Sequence, residues 1–243
     1  MIVLTMDIDW APDWAIADAV ALVRSHGLAL TAFVTHDSPA IRALADEPRV
    51  ERALHPNYLP GSSHGATPAA VLDACQAMVP EARGVRAHGL WRGTSYVVEY
   101  GRRGLAYEAS DLLFLQPGLT GGRYWNGVAQ LPGWWEDDVH MLYGRPMTLD
   151  DVPLDAAPPL AIFDFHPILI ALNSATLDGY NRLKAKLGAE GRGLADASRD
   201  EVAAFADSGT VGDRALLDAL CAWCAARPDH GRRTMAEVAE ALS

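Results

Sequence analysis

Two acids stand two residues apart behind an apolar run at the start of the chain, in Thr5-Met6-Asp7-Ile8-Asp9-Trp10. In an extended segment Asp7 and Asp9 share a face. Carboxylates held that close oppose each other's ionisation unless positive charge sits between them. A divalent metal would supply that charge, with one acid as ligand and the other left to work on a bound water. The plain alternative is that the acids end a strand and cap the helix that follows.

Four further segments offer chemistry. His55 enters a stiff polar loop, His55-Pro56-Asn57-Tyr58-Leu59-Pro60-Gly61-Ser62-Ser63-His64, whose imidazoles could ligate zinc or simply be solvated. Arg86 and His88 follow another short apolar run and could position an anionic or hydroxylated substrate, or the Arg could pair with a surface acid. Trp134-Trp135-Glu136-Asp137-Asp138 offers an apolar wall for a sugar ring and a carboxylate, Asp137 or Asp138, to orient a histidine. The alternative is a core tryptophan beside an exposed acidic turn. His166 closes Ile162-Phe163-Asp164-Phe165-His166-Pro167 and points into whatever the strand ends enclose. Titrating near neutrality, it suits protonation of a leaving group.

The elements that must carry these residues read as strands alternating with helices. Ile2 to Met6 and Leu28 to Thr35 are apolar runs of strand length, with an amphipathic helix between them. That order predicts a parallel βαβ unit. Helices are predicted over 39–46 and 68–79, strands over 50–54, 84–88 and 160–165, and two short β segments within 105–115. Residues 116–136 read as an irregular insertion, and the last third as mostly helical, over 176–187, 198–206, 213–227 and 234–242. With no linker or repeat, the whole of 1–243 is expected to form one α/β domain with its chemistry at strand C-termini, as in a parallel barrel. Cys221-Ala-Trp-Cys224 lies inside a helical pattern without a partner pair, so its thiols are expected to be buried and structural.

Composition removes other classes. At 243 residues and 50% apolar, the chain can bury about 70% of its surface in one core. Its 20 basic and 31 acidic residues give a net charge of −11, a poor field for nucleic acid or an anionic bilayer. No apolar run approaches the ~18 residues of a membrane span. The opening residues lack the basic n-region of a signal peptide, which predicts a cytoplasmic location. No Walker loop, dinucleotide fingerprint or nucleophile elbow is present.

Together these segments resemble the polysaccharide deacetylases of the NodB-homology fold, carbohydrate esterase family four, from Thr5 to about Asn173. The resemblance implies a distorted (β/α) barrel with a divalent metal, zinc by ligand type, at its strand ends. It maps the catalytic base to Asp7 and metal ligands to Asp9 and His55. The family's second histidine is expected at position 59, where this chain has Leu59. His64, Asn57 and His88 are then the candidates for the third ligand, with His64 placed in the metal set and Asn57 and His88 on the substrate side. Arg86 matches the residue that orients the base. Trp135 with Asp137 or Asp138 matches the sugar-facing wall and the acid-tuning carboxylate, Asp138 being placed with the substrate. His166 matches the general acid. The implied reaction removes an acetyl group from an N-acetylated sugar or sugar precursor of surface-polysaccharide biosynthesis. Two other readings remain: a metal-free C–N hydrolase, as in the allantoinase-like branch of the fold, and a silent carbohydrate-binding protein.

Overall fold

The computed structural model describes residues 1–207 and 211–242. Nine strands form one sheet: β1 (Ile2–Asp7), β2 (Leu30–Val34), β3 (Val50–Leu54), β4 (Gly84–Val85), β5 (Tyr107–Glu108), β6 (Gly122–Arg123), β7 (Ala129–Gln130), β8 (Trp135–Glu136) and β9 (Ala161–Phe165). Their order is β6-β7-β5-β4-β3-β2-β1-β9-β8, and every pair is parallel except β6 with β7. β1 lies in the middle, paired with β2 on one side and β9 on the other. The sheet curls into a half-barrel flanked by helices, the distorted (β/α) barrel that the resemblance implies.

Strand alternation divides β1 cleanly. Ile2, Leu4, Met6 and Ile8 pack with the helices, while Val3 belongs to the cluster inside the curl. Thr5 and Asp7, at the same period of two, continue that inner face upward. The helix outside β1 is α1 (Asp13–Ser25), which buries Ala15, Ile16, Ala19, Val20 and Val23 along one stripe. α6 (Pro167–Leu172), which follows β9 directly, packs beside it.

The inner face is apolar at its floor and polar at its top. α10 (Met235–Ala241) plugs the floor, setting Met235, Val238 and Ala239 against Val3, Phe33, Tyr107 and Ile162. A Thr234–Glu237 capping box opens that helix. Glu51, half-buried beneath it, accepts from Ala236 N–H, the Thr31 hydroxyl and the Tyr107 hydroxyl. Curling this tight needs Gly84, since a Cβ there would lie 2.0 Å from the Tyr107 ring.

The remaining helices are α2 (Pro39–Ala43), α3 (Pro68–Met78), α4 (Thr94–Arg102), α5 (Asp137–Leu142), α7 (Asp178–Ala189), α8 (Arg199–Ala203) and α9 (Asp213–Ala225). α4 is a helix the sequence reading misses, and the insertion at 116–136 contains β6, β7 and β8 rather than irregular chain alone. Cys221 and Cys224 are buried free thiols within α9, as expected, and burial pushes the Cys224 thiol up to about 12. No described helix is long and apolar enough to cross a membrane.

Candidate active site

Asp7 and Asp9 reach the top of the half-barrel by different routes. Asp7 ends β1 on the inner face. Asp9 and Trp10 both take left-handed backbone angles, with φ of 43° and 54°, so the chain turns sharply above the strand. That conformation is costly for a tryptophan, of order 1–3 kcal/mol, and such strain gathers where a side chain must be aimed. The turn sets the Asp9 carboxylate against His88 Nδ1 at 2.9 Å and His55 Nε2 at 3.2 Å. His55 continues the inner face of β3 and is fully buried. Its Nε2 also lies 3.4 Å from Asp7, yet neither ring nitrogen makes a hydrogen bond among the described residues.

Asp9, His55 and His88 therefore offer one oxygen and two nitrogens within 4.8 Å of one another. Burial pushes the Asp9 carboxyl up, but His55 and His88 outweigh it and hold Asp9 well below the usual carboxylate range. Burial lowers His55 in turn, and Asp7 with Asp9 raises it above an ordinary histidine. The groups thus draw positive charge between them. Two imidazoles and a carboxylate are a donor set that suits zinc and similar divalent ions. An aimed, buried imidazole nitrogen without a hydrogen bond fits the same use.

His64 does not belong to this cluster. Its Nδ1 accepts from Asn57 N–H at 3.1 Å and its Nε2 meets Thr35 O at 2.6 Å, so both nitrogens are committed to backbone. His88 stands where His64 was expected. Asn57 caps its own loop, its Oδ1 accepting from Leu59 N–H, and is not brought to the cluster by any contact.

Arg86 is buried in the middle of the inner face. One guanidinium nitrogen donates to Asp7 Oδ1 at 2.9 Å, to Thr5 Oγ1 at 3.0 Å and to Asp164. Its ring-facing side lies 4.2 Å from the centre of Phe33. Asp164, on β9 in register with Thr5, was not singled out from sequence. Burial pushes its carboxyl up to about 7. Glu136, in register with Asp164, is pushed well up by burial and by the neighbouring Asp138 and Asp164 charges.

His166 follows β9 and faces Asp9 across 3.7 Å through Nε2. Its other nitrogen, Nδ1, meets Asp137 Oδ1 at 2.7 Å, and its backbone N–H donates to Asp137 Oδ2 at 2.7 Å. Burial alone would lower this imidazole, but the Asp137 charge raises it well above its ordinary value. Of the two acids proposed to orient His166, the contact is made by Asp137. Asp138 stays close by, lining a small cavity of about 80 Å³ with Asp9, His166, Leu169 and Tyr180.

Trp135 is displaced from its expected place. It is fully buried, packed on Phe163 and Phe165 with centroid distances of 5.5 and 5.0 Å, and its Nε1–H donates to His140. Alternation explains this. Glu136 pairs with Asp164 on the inner face, so its neighbour Trp135 must point outward, toward the helices. The exposed walls come from elsewhere. A cavity of about 350 Å³ beside Asp9 and His88 is lined by Trp10, Tyr180, Lys184 and Arg192. Trp10 packs edge-on to His88 at 5.2 Å. Trp10 lay in the first motif without a role, and Tyr180 and Lys184 carried no sequence signal beyond a helical pattern.

Residues 4–184 match the family described as WbmS-like polysaccharide deacetylases. The chain belongs to that family. It is accordingly a hydrolase of a carbon–nitrogen amide bond. A candidate polysaccharide deacetylase from Bordetella bronchiseptica, described as involved in O-antigen biosynthesis, is 28% identical to this WbmS-like chain. It superposes with a TM-score of 0.79 over 91% of this chain and 90% of its own. Two more distant structures share the fold. One is a candidate polysaccharide deacetylase from Mycobacterium smegmatis, with a TM-score of 0.58 at 14% identity, covering 99% of this chain and 89% of that one. The other is a 4-alpha-glucanotransferase from Thermococcus litoralis, with a TM-score of 0.56 at 11% identity, covering 100% of this chain but 38% of that one. No curated protein matches the chain.

Proposed function

We propose that this protein removes the acetyl group from an N-acetylated sugar unit or precursor of a surface polysaccharide, with a divalent cation, zinc by donor type, held by Asp9, His55 and His88. The observation that carries the reading is the convergence of two oriented acid–base pairs on that three-residue cluster. Arg86 holds Asp7 on one side and Asp137 holds His166 on the other. The likeness to a Bordetella chain described as acting in O-antigen biosynthesis supports the polysaccharide setting.

When bound, the cation would polarise the acetyl carbonyl and make a water acidic near neutral pH. The chain's own residues do the rest. Asp7, anchored by Arg86 and too short to wander, takes the proton from the attacking water. Arg86 keeps Asp7 aligned, since its one nitrogen serves Asp7, Thr5 and Asp164 together. His166, kept protonated by Asp137, gives its Nε2 proton to the departing amine, which leaves poorly as an anion. The apolar side chains Ile168, Leu169 and Leu177 beside His166 offer room for the acetyl methyl. Trp10 and Tyr180 supply the faces on which a sugar ring stacks. The products are acetate and an amino sugar.

The test is acetate release from acetamido sugars, sugar nucleotides and O-antigen fragments, before and after chelation and with zinc restored. Release that chelator abolishes and zinc restores is the expected result. Absence of release from every substrate under every metal condition would sink the proposal.

A further inference from the structure

Behind the His166–Asp137 pair lies a third carboxyl that the proposed chemistry does not use. Asp213 opens α9 and is wholly buried. Among the described residues neither of its carboxyl oxygens accepts a hydrogen bond. The titratable groups that face it are Asp137, His166 and Asp138. Its position is imposed by the backbone. Asp213 N–H donates to Ser174 O at 2.9 Å. Gly212 comes so near the end of α6 that a Cβ there would lie 1.9 Å from Asn173 O. The start of α9 is thereby docked against the segment after α6, and the buried Asp213 carboxyl faces Asp137 with no hydrogen-bond donor of its own among the described residues.

Two carboxyl groups in such contact need a proton between them. Asp137 already accepts three N–H groups: the backbone and ring of His166 and the backbone of Asp138, each at 2.7 Å. With three N–H groups donating to it, Asp137 acts as an acceptor, and a proton shared between the two carboxyls belongs on Asp213. Among the described residues no N–H donates to Asp213 in the same way. We propose that Asp213 is a neutral carboxylic acid whose O–H donates to Asp137, making it a positioning residue that fixes the carboxylate on which His166 depends. Burial first, and then the Asp137 charge, push the Asp213 carboxyl well above the usual range, in keeping with that proton. Asp213 lies beyond the stretch that matches the family. Its role rests on the reading of His166 as general acid, while its protonation does not.

The experiment compares the full chain with Asp213→Asn, whose amide still donates, and Asp213→Leu, which fills similar space and cannot. The first arm is an infrared difference spectrum at neutral pH, wild type minus Asp213→Asn, without substrate. Taking the difference isolates Asp213 from the other raised acids, Asp164 and Glu136. A protonated-carboxyl carbonyl band present in wild type and lost in the variant is expected. The second arm reads kcat and KM for acetate release. Asp213→Asn should keep kcat within about threefold. Asp213→Leu should lose about 10- to 100-fold in kcat with KM little changed, the size expected for a hydrogen bond to a charged group. Should Asp213→Leu fail to fold, Asp213→Asn and the infrared arm still decide. No carboxylic acid band in wild type, or equal loss in the Asn and Leu variants, would overturn the proposal. Wild type without any turnover would instead refute the deacetylase reading and leave the infrared arm intact.

Discussion

His166 is useful as an acid only while it carries its proton. Burial works against that charge, and Asp137, at 2.7 Å, more than offsets it. The protonated form therefore persists above the ordinary histidine value of about 6.5. Turnover should hold through neutral pH and fall on the alkaline side as His166 loses its proton. In Asp137→Asn the charge is gone and burial dominates, so that alkaline limb should move toward lower pH. A pH–rate profile checks the direction, and an unmoved limb would contradict the pairing. Replacing His166 by Ala should cut kcat by about 10²–10⁴-fold, the usual reach of general acid catalysis, with substrate affinity largely kept. Similar loss is expected for Asp7→Asn, measured as acetate release at saturating substrate. Asp7, Asp9, His55, Arg86 and His166, which the structure brings together at the strand ends, are all singled out in the sequence, since they stand at or just after the ends of apolar runs. His88 was read there as a substrate group. His64 misled because its loop is written in residue types that ligate metal, while its nitrogens are spent on Asn57 N–H and Thr35 O. Nothing in the spacing of 55–64 distinguishes a ligand from a loop clasp.

At the scale of elements, alternation along strands explains both the successes and the misses. Thr5 and Asp7 on β1, His55 after β3 and Asp164 and His166 on and after β9 all fall on the inner face. The same rule sends Trp135 outward, but β8 spans only two residues, too few for its period to show in the sequence. α4 was missed because residues 94–102 are polar on average, with only Val97 and Tyr100 buried. Gly84 marks where the sheet bends most closely on itself. Gly84→Ala puts a methyl into the Tyr107 ring, so overpacking should destabilise the protein by about 1–3 kcal/mol. Urea unfolding with an unchanged m-value measures it. Unaltered stability would mean that Tyr107 swings aside, and its hydrogen bond to Glu51 would then be lost.

Across the whole molecule, the three proposed ligands come from three separate segments and meet at one place, so that metal binding would be coupled to folding. Zinc at about 100 times its dissociation constant should stabilise the native state by about 2.7 kcal/mol, seen as a rise in melting temperature. His88→Ala should abolish most of that rise. His64→Ala should keep it, although its baseline stability falls. The reverse pattern would restore His64 as the third ligand. The chain's net charge of −11 is legible without any structure and sets a background against which local cations such as Lys184, at the rim of the larger cavity, stand out to a sugar substrate.

β1 carries one further consequence, through its place between β2 and β9. Thr5 donates its hydroxyl proton to Phe163 O, 158 residues along the chain, and Asp213 enters later still. During synthesis β1 can find β2 early but must wait for its other neighbour until the chain has grown past β9 at Ala161–Phe165. Such long-range pairing is slow. Hydrolytic competence therefore cannot precede the making of β9, and recovery of turnover after dilution from denaturant should lag behind recovery of helical signal.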